Sequence, residues 1–254
     1  MKLLSELPQY RQFVFGFLKF SKKEYLEELQ QGNLYMNNLK YFIDLEKQTG
    51  IKGMGDSFEG SHVLKEITLE FRDPKTDETL LKGKAKQAVM RLDEFMGIHL
   101  FCMTAIDSSM LEIVEEDDDY FYTILHLTDQ QKENFISEFG DHSLIILRDG
   151  FVDNFTKSFE EQGIQYRSSL VKYADFNVNQ EERMQSFYKQ DPSFFFWKSD
   201  EISYQKEYRI VILNKPSSNA IIIKIGDMTE YSLIIPVSQM LDKEKGLSIR
   251  VRKI

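Results

Sequence analysis

Three polar side chains that could perform chemistry precede an apolar run late in the chain, in the segment SYQKEYRIVIL (203–213). Residues two apart in a strand project from the same face, so a strand here would place Gln205, Glu207 and Arg209 together. A carboxylate held between an amide and a guanidinium is oriented and kept ionised. Such a group can stabilise positive charge in a transition state. The alternative interpretation is a Glu–Arg ladder on a solvated strand end.

Two further polar clusters adjoin apolar runs. GDSFEG supplies Asp56 and Glu59, and FGDH supplies Asp141 and His142. Together with Glu207, these carboxylates suggest an alternative Mg²⁺-dependent nuclease, because carboxylates can hold two catalytic metal ions. The sequence contains no H-E-x-x-H or C-x-x-C motif, so apart from this alternative we predict no metal in the site. It also contains no Walker A motif.

Composition narrows the class of protein. The chain has 254 residues, of which 42% are hydrophobic and 13% aromatic, so it can bury a substantial core and is not a disordered chain. Its net charge of −9 does not favour binding to nucleic acid through overall charge. A single cysteine, Cys102, excludes an internal disulfide and fits a reducing compartment. No apolar run has the length of a membrane helix, and MKLLSELPQYRQ does not resemble a signal peptide. We therefore predict a cytoplasmic protein without a membrane partner.

The elements that must position the polar residues begin with strand, helix, strand, helix in the first 50 residues. Ser21 and Glu24 have the spacing of a capping box, and Gly32 is a suitable helix stop. LYMN then reads as a short strand and LKYFIDLEKQ as an amphipathic helix. The glycine-rich segment IKGMGDSFEG reads as a loop.

The rest of the chain mixes strands and helices irregularly. Residues 62–89 read as a hairpin, and Thr128 with Gln131 forms a second capping-box pattern. Phe151, Phe155 and Phe159 form an aromatic stripe on one helical face, which indicates core packing. The runs NAIIIKIG, YSLIIPVS and LSIRVRKI suggest late β-hairpins.

These elements predict one α+β domain over residues 1–254, with a mixed, largely antiparallel, curved sheet and flanking helices. The pattern does not favour a doubly wound α/β fold. The strands do not alternate regularly with long helices, and no G-x-G-x-x-G follows the first strand.

Several segments together resemble a bacterial family of uncharacterised proteins, the DUF2971-like group. They are GNLYMNNLKYFIDLE, GDSFEG, FGDHSLIIL and FFFWKSDEISYQKEYRIVIL, and the resemblance extends over roughly residues 17–213. The late strand fits the family pattern of a Glu-x-Glu-x-Arg-like strand well. GMGDSFEG stands where the family has Asn-Asp-Pro, so the early loop departs from the pattern.

The layout is also similar to that of ADP-ribosyltransferases, which start with strand, helix, strand and carry Gln/Glu-x-Glu on a late strand. Gln205-Lys206-Glu207 matches that motif. The resemblance implies an ADP-ribosyltransferase-like fold with NAD as substrate. Glu207 would bind the ribose hydroxyls and stabilise an oxocarbenium-like transition state, and Gln205 would engage the acceptor.

The same resemblance suggests residues that bind NAD. It puts Lys19 near the first-strand cation, and Tyr35 or Asn37 on the second-strand segment; the serine of that segment has no clear counterpart. Tyr41 is a candidate aromatic contact for the nicotinamide, and Lys19 or Arg209 could neutralise the pyrophosphate.

The leading hypothesis is an NAD-dependent ADP-ribosyltransferase or NAD glycohydrolase that acts as a bacterial toxin or anti-phage defence effector. Its partners would be NAD or a related nucleotide, a protein or nucleic-acid acceptor, and a cognate antitoxin or regulator. The first alternative is a non-catalytic binding or sensor module of a defence or toxin–antitoxin system, which the missing serine favours. The second alternative is the Mg²⁺-dependent nuclease.

Overall fold

A computed structural model describes residues 2–11, 13–51, 53–242 and 247–254. The chain begins with the predicted order, namely β1 (Val14–Ser21), α1 (Lys23–Gln30), β2 (Asn33–Asn38) and α2 (Leu39–Thr49). The N-terminal half continues with β3 (His62–Arg72), β4 (Thr79–Met90), β5 (His99–Asp107), β6 (Leu111–Glu116) and β7 (Tyr120–Leu125).

Helices and strands then alternate irregularly. They are α3 (Asp129–Phe139), β8 (His142–Leu147), α4 (Arg148–Glu161), β9 (Tyr166–Leu170), β10 (Lys172–Ala174), α5 (Glu181–Tyr188), β11 (Trp197–Ser199), β12 (Glu207–Ile212), β13 (Ile221–Lys224), β14 (Ser232–Pro236), α6 (Val237–Met240) and β15 (Ser248–Arg252). Short 3-10 helices connect some of them, including Pro192–Phe196 before β11 and Asp200–Gln205 before β12.

Helix ends follow the predicted signals in most places. The capping box of Thr128 and Gln131 at the start of α3 is confirmed. The box predicted at Ser21 and Glu24 is wrong, because the residue that caps α1 is Lys22, which makes no side-chain capping bond. Gly32 has a φ of 88°, which a glycine adopts without steric cost, and it ends α1 as predicted.

The main sheet has the strand order β13-β2-β5-β1-β8-β14, and β12 pairs with both β5 and β9. Its pairings are antiparallel throughout the described residues. Two smaller sheets are also antiparallel, with the orders β15-β7-β6 and β3-β4, whereas β10 and β11 pair in parallel. This arrangement confirms an α+β class with a largely antiparallel sheet.

The main sheet divides at β5. Strand β12 follows one edge of β5 from His99 to Thr104. The opposite edge is shared, because β1 pairs with its end from Thr104 onward and β2 pairs with Leu100 and His99. Between these pairings, Phe101 to Met103 have no strand partner on that edge among the described strands. A gap therefore opens between β1 and β2.

The predicted aromatic stripe lies in the core. Phe151, Phe155 and Phe159 of α4 are all buried, with ring centroids 5.1 Å and 5.5 Å apart along the helix. Phe151 also meets Phe17 of β1 at 5.6 Å, so the stripe packs α4 onto the main sheet. Within the described residues, no helix is both long enough and apolar enough to cross a membrane.

The last three strands do not form the predicted hairpins. β13 pairs with β2, β14 with β8 and β15 with β7, each far away in sequence. The physical reason is that no tight two-residue turn joins the three runs, so long-range pairing decides their positions. The hairpin of β3 and β4 is confirmed, with Ile67 opposite Ala85 and Leu69 opposite Gly83.

His62, at the start of β3, is fully buried between aromatic rings. Its ring lies 5.2 Å from Phe187 and 5.5 Å from Tyr188, centroid to centroid, and neither ring nitrogen has a hydrogen-bond partner among the described residues. Burial lowers the pKa of His62 to about 4, and the nearby Arg183 guanidinium acts in the same direction. The folded protein thus holds this imidazole neutral where the unfolded chain would protonate it.

We expect acid to destabilise the protein through His62. As the pH falls from about 6.5 to about 4, the unfolded chain takes up a proton that the buried ring does not accept, so the free energy of unfolding should drop by about 3 kcal/mol. His62→Phe keeps the aromatic packing and removes the titration. Urea denaturation at several pH values should show a shallower pH slope for the variant, and an unchanged slope would contradict this assignment.

Candidate active site

A cleft of about 670 Å³ lies where β1 and β2 separate along β5. β1, β2, β5 and the start of β12 all line it, together with α2 and the loop that follows α2. Its size is within the usual range for small-molecule sites. The cleft therefore results directly from the division of the main sheet.

Most of the predicted site residues meet in this cleft. Those that line it are Lys19, Tyr35, Asn37, Tyr41, Asp56, Glu59, Gln205 and Glu207. Arg209 does not line it, because its side chain is completely buried behind Glu207. Asp141 and His142 are also absent from the lining and bond to each other, with His142 Nδ1 2.9 Å from Asp141 Oδ1.

Glu207 opens β12 at the floor of the cleft and is 5% exposed. Its Oε1 accepts from Arg209 Nε at 2.6 Å and its Oε2 from Lys198 Nζ at 2.9 Å. The backbone N–H of Glu207 donates to the Tyr173 hydroxyl at 2.9 Å. Every polar part of the residue named here is therefore held by a partner, and the carboxylate has a fixed orientation.

The two cations keep Glu207 ionised. Burial by itself would raise the pKa of this carboxyl, but Arg209 and Lys198 outweigh burial and lower the pKa well below its ordinary value. Glu207 is thus an oriented, charged carboxylate. The partners differ from the predicted ones, because the ammonium of Lys198 takes the place that we expected for the Gln205 amide.

Arg209 joins two elements that are distant in sequence. Its Nη1 and Nη2 donate to Glu59 Oε1 and Oε2 at 2.5 Å and 3.0 Å, a bidentate pair. Nη1 also donates to the carbonyl of Phe195. The guanidinium has no solvent contact and donates to Glu59, Glu207 and Phe195, so the expected contact of Arg209 with a pyrophosphate is not available in this geometry.

Lys198 of β11 was missed in the sequence, where it follows four aromatic residues and precedes a polar stretch. It is 4% exposed and donates to Gln205 Oε1 at 3.1 Å as well as to Glu207. Burial opposes its charge, but Glu207, Glu59 and Asp56 outweigh burial and raise the pKa of Lys198. We call Glu59, Arg209, Glu207 and Lys198 the buried charge network.

Gln205 does not belong to the strand as predicted. It ends the 3-10 helix Asp200–Gln205, and Lys206 follows in the left-handed region with a φ of 44°. This kink separates Gln205 from β12, so the period-two argument fails for it. The amide still reaches the network, because its Oε1 accepts from Lys198 while its Nε2 donates to the Gly53 carbonyl at 3.0 Å.

Lys19 and Asp56 line the cleft and form no salt bridge among the described residues. Lys19 Nζ donates to the Cys102 carbonyl at 2.7 Å on the unpaired edge of β5 and lies 4.9 Å from the Phe101 ring centroid. Asp56 Oδ1 accepts from Phe58 N at 2.8 Å, while its buried Oδ2 has no partner in the described part of the chain. Burial lowers the pKa of Lys19 and raises the pKa of Asp56.

The two tyrosines predicted to bind the nucleotide, Tyr35 and Tyr41, also line the cleft. Tyr35 and Tyr41 line the cleft with 56% and 44% of their surface exposed, so their rings are open to a ligand. Cys102 also lines the cleft, but burial and the nearby Glu207 raise its pKa to about 12, which keeps the thiol protonated and unreactive at neutral pH.

The carboxylates do not assemble as a metal site. Asp141 is exposed and lies outside the cleft lining, apart from Asp56, Glu59 and Glu207. Over the described ranges, no group of three or more His, Cys, Asp or Glu side chains is arranged to hold a metal ion. The constellation suggested for a nuclease is therefore not formed.

Comparisons of this chain with known protein families, with curated proteins and with solved structures found no match.

We expect Arg209→Met to lower the free energy of unfolding by about 3–5 kcal/mol, because it leaves Glu59 and one side of Glu207 as buried charges without their partner. Urea denaturation at pH 7 measures this loss. The matched control is Arg72→Met, which removes exposed pairs with Glu70 and Asp77 and should cost less than about 1 kcal/mol. Equal effects of the two substitutions would rule out the network as a main source of stability.

Proposed function

We propose that this protein binds NAD⁺ in the cleft and cleaves the bond between nicotinamide and ribose, as an ADP-ribosyltransferase or NAD glycohydrolase. One observation carries the proposal. Lys19, Tyr35 and Tyr41, from the first two strands and the following helix, line the same cleft as Glu207 from a strand more than 160 residues later. A cation, aromatic rings and an ionised carboxylate are the groups that this substrate and reaction require.

The reaction needs no metal. The C1′–N1 bond breaks, its electron pair neutralises the positively charged nicotinamide ring, and the ribose gains oxocarbenium character. An ionised carboxylate beside the ribose stabilises this positive charge in a cleft that excludes much of the water. Water or an acceptor group then attacks C1′ and loses a proton.

Pairing with two cations does not prevent Glu207 from acting. A carboxylate has about four lone-pair positions, and Arg209, Lys198 and the Cys102 thiol each occupy one. A ribose hydroxyl can donate to a remaining position on the side that faces the cleft. Arg209, which approaches from the protein interior, then serves to position the carboxylate rather than to bind NAD⁺.

Gln205 has a different role in this proposal from the one first expected. Both ends of its amide are engaged, by Lys198 and by the Gly53 carbonyl. We therefore assign Gln205 to positioning Lys198 and the loop after α2, rather than to contact with an acceptor.

We further propose an ADP-ribosyltransferase-like fold for the chain and a place in the DUF2971-like group. The opening order of strand, helix, strand, helix and the late strand that carries Glu207 support both. A role as a toxin or anti-phage defence effector, with a protein or nucleic-acid acceptor and a cognate antitoxin or regulator, follows from that resemblance. Identification of a modified acceptor would test this part.

Glu207→Gln should lower the rate of NAD⁺ cleavage about 100- to 1,000-fold, because the amide cannot balance the charge of the ribose. The measurement is NAD⁺ consumption by purified protein, with and without cell lysate as a source of acceptor. The matched control is Glu116→Gln, an exposed strand carboxylate that pairs with Lys253 and should leave the rate unchanged.

A thermal melt of each variant shows whether Glu207→Gln remains folded, since the substitution disturbs a buried ion pair. If the folded variant cleaves NAD⁺ at the wild-type rate, Glu207 is not the catalytic carboxylate. If the wild-type protein consumes no NAD⁺ under any of these conditions, the enzymatic proposal fails.

The second candidate function is a binding or sensor module without turnover. The specific observation that favours it is the double pairing of Glu207, since buried charge networks also serve purely structural purposes. In that case the cleft would bind NAD⁺ or a related nucleotide through its open aromatic rings, and the nucleotide would remain intact.

For either function, Tyr35→Ala and Tyr41→Ala should each weaken nucleotide binding about 3- to 10-fold, the equivalent of losing one ring contact of about 0.5–1.5 kcal/mol. Isothermal titration calorimetry with NAD⁺ measures the change. Tyr188→Ala is the control, because Tyr188 is an exposed tyrosine outside the cleft lining. Equal affinity in all these variants would show that the aromatic walls do not contact the nucleotide.

A further inference from the structure

The carboxyl group of Glu138 also lines the cleft and has no role in the function described so far. Glu138 comes from the last turn of α3 and is half-buried. The Tyr204 hydroxyl lies 2.8 Å from its Oε1 and 2.7 Å from its Oε2. Among the described residues no Lys or Arg forms a salt bridge with Glu138, in contrast to Glu207.

Tyr204 is itself held in place. Its backbone carbonyl accepts from Gln131 Nε2 at 2.9 Å, and its ring packs 6.1 Å from Phe135, centroid to centroid. Gln131 and Phe135 lie on α3, the same helix that carries Glu138. The tyrosine and the carboxyl group are therefore fixed relative to each other by both the helix and the 3-10 helix before β12.

Glu138 also adjoins the buried charge network. A Cβ atom added at Gly53 would lie 2.6 Å from Glu138 Oε2, 2.7 Å from the Tyr204 hydroxyl and 3.0 Å from Gln205 Nε2, so these three groups converge on one backbone position. Gln205 in turn contacts Lys198, which contacts Glu207. One continuous set of polar side chains thus connects the carboxyl groups of Glu138 and Glu207.

We propose that Glu138 is the general base that takes the proton from the nucleophile, water or an acceptor group, that attacks C1′ of the ribose. This inference rests on the function proposed above and adds a second catalytic residue to it. Glu207 stabilises the positive ribose while the bond to nicotinamide breaks. Glu138 then removes one proton as the new bond to C1′ forms, and it becomes a neutral carboxylic acid.

The environments of the two carboxyl groups suit these different roles. The paired cations hold Glu207 ionised, whereas burial raises the pKa of Glu138, with Tyr204 and then Lys198 opposing that shift. A carboxylate with a raised pKa accepts a proton more readily. A pair of carboxyl groups whose environments push their pKa values apart is typical of a site that divides charge stabilisation from proton transfer.

The test is rescue by azide, an anionic nucleophile that has no proton to lose. In Glu138→Gln we expect hydrolysis of NAD⁺ to fall about 100-fold or more. Added sodium azide should restore NAD⁺ consumption in this variant and give ADP-ribosyl azide, which mass spectrometry distinguishes from ADP-ribose. Azide should not restore Glu207→Gln, because that variant lacks the stabilising charge whatever the nucleophile.

Two further variants separate catalysis from structure. Glu133→Gln changes an exposed carboxylate on the same helix and should behave as wild type. Tyr204→Phe keeps the ring but removes the bond to Glu138, and it should lower kcat with little change in KM, as expected for a positioning residue. A purely structural role for Glu138 would produce no rescue that is specific to azide.

The outcomes are distinct. Loss of hydrolysis in Glu138→Gln with azide rescue supports the proposal. Hydrolysis at the wild-type rate in Glu138→Gln, or loss without rescue in a variant that is folded, overturns it while the NAD⁺-cleaving function stands. Failure of the wild-type protein to cleave NAD⁺ overturns the proposed function and this inference with it.

Discussion

Arg209 is completely buried, and its guanidinium holds Glu59 from the loop and Glu207 from β12 at the same time. A buried charge without a partner costs several kcal/mol, so the loop after α2 cannot leave this position without exposing or stranding its carboxylate. Because that loop is one wall of the cleft, the ion pair determines the shape of the site. The proposed chemistry and the local architecture therefore depend on the same interaction.

The division of the main sheet at β5 creates the space that the buried charge network borders. β1 and β2 pair with different parts of one edge of β5, and the carbonyl left open at Cys102 accepts from Lys19. A backbone carbonyl without a strand partner needs another donor when it is partly buried. Lys19 meets that need, and its ammonium is thereby held at the floor of the cleft without a carboxylate partner in the described residues.

The sequence predicted local features better than long-range ones. Periodicity and caps identified α2, α3 and the aromatic stripe of α4, since these depend on neighbours in the chain. The partners of β13, β14 and β15 depend on contacts across the whole chain, and the sequence held no turn signal for them. Strand β12 was recognised in the sequence. The kink at Lys206 before it was not, because a lysine in the left-handed region has no compositional signature.

The same distinction holds within the site. Glu207 was singled out because charged residues stand at the start of an apolar strand, and Lys19 and Tyr35 because of the resemblance to ADP-ribosyltransferases. Lys198 and Glu138 were missed, since each lies in a segment whose polar residues read as solvated. Only the folded chain brings Lys198 between Gln205 and Glu207 and brings Glu138 to Tyr204. Lys198 and Glu138 enter the proposed site only through these long-range contacts, which no spacing pattern in the sequence predicts.

The charges of the cleft also indicate how the proposed substrate would lie in it. A chain with a net charge of −9 repels an anionic nucleotide on average, so binding needs a local cation. Lys198 is already balanced by Glu207, whereas Lys19 has no carboxylate partner among the described residues. In the proposed mode of binding, the pyrophosphate of NAD⁺ would lie beside Lys19 and β1, and the nicotinamide ribose beside Glu207 at the start of β12. The breaking bond would then lie between a carboxylate that stays ionised and a second carboxyl group that can take up a proton.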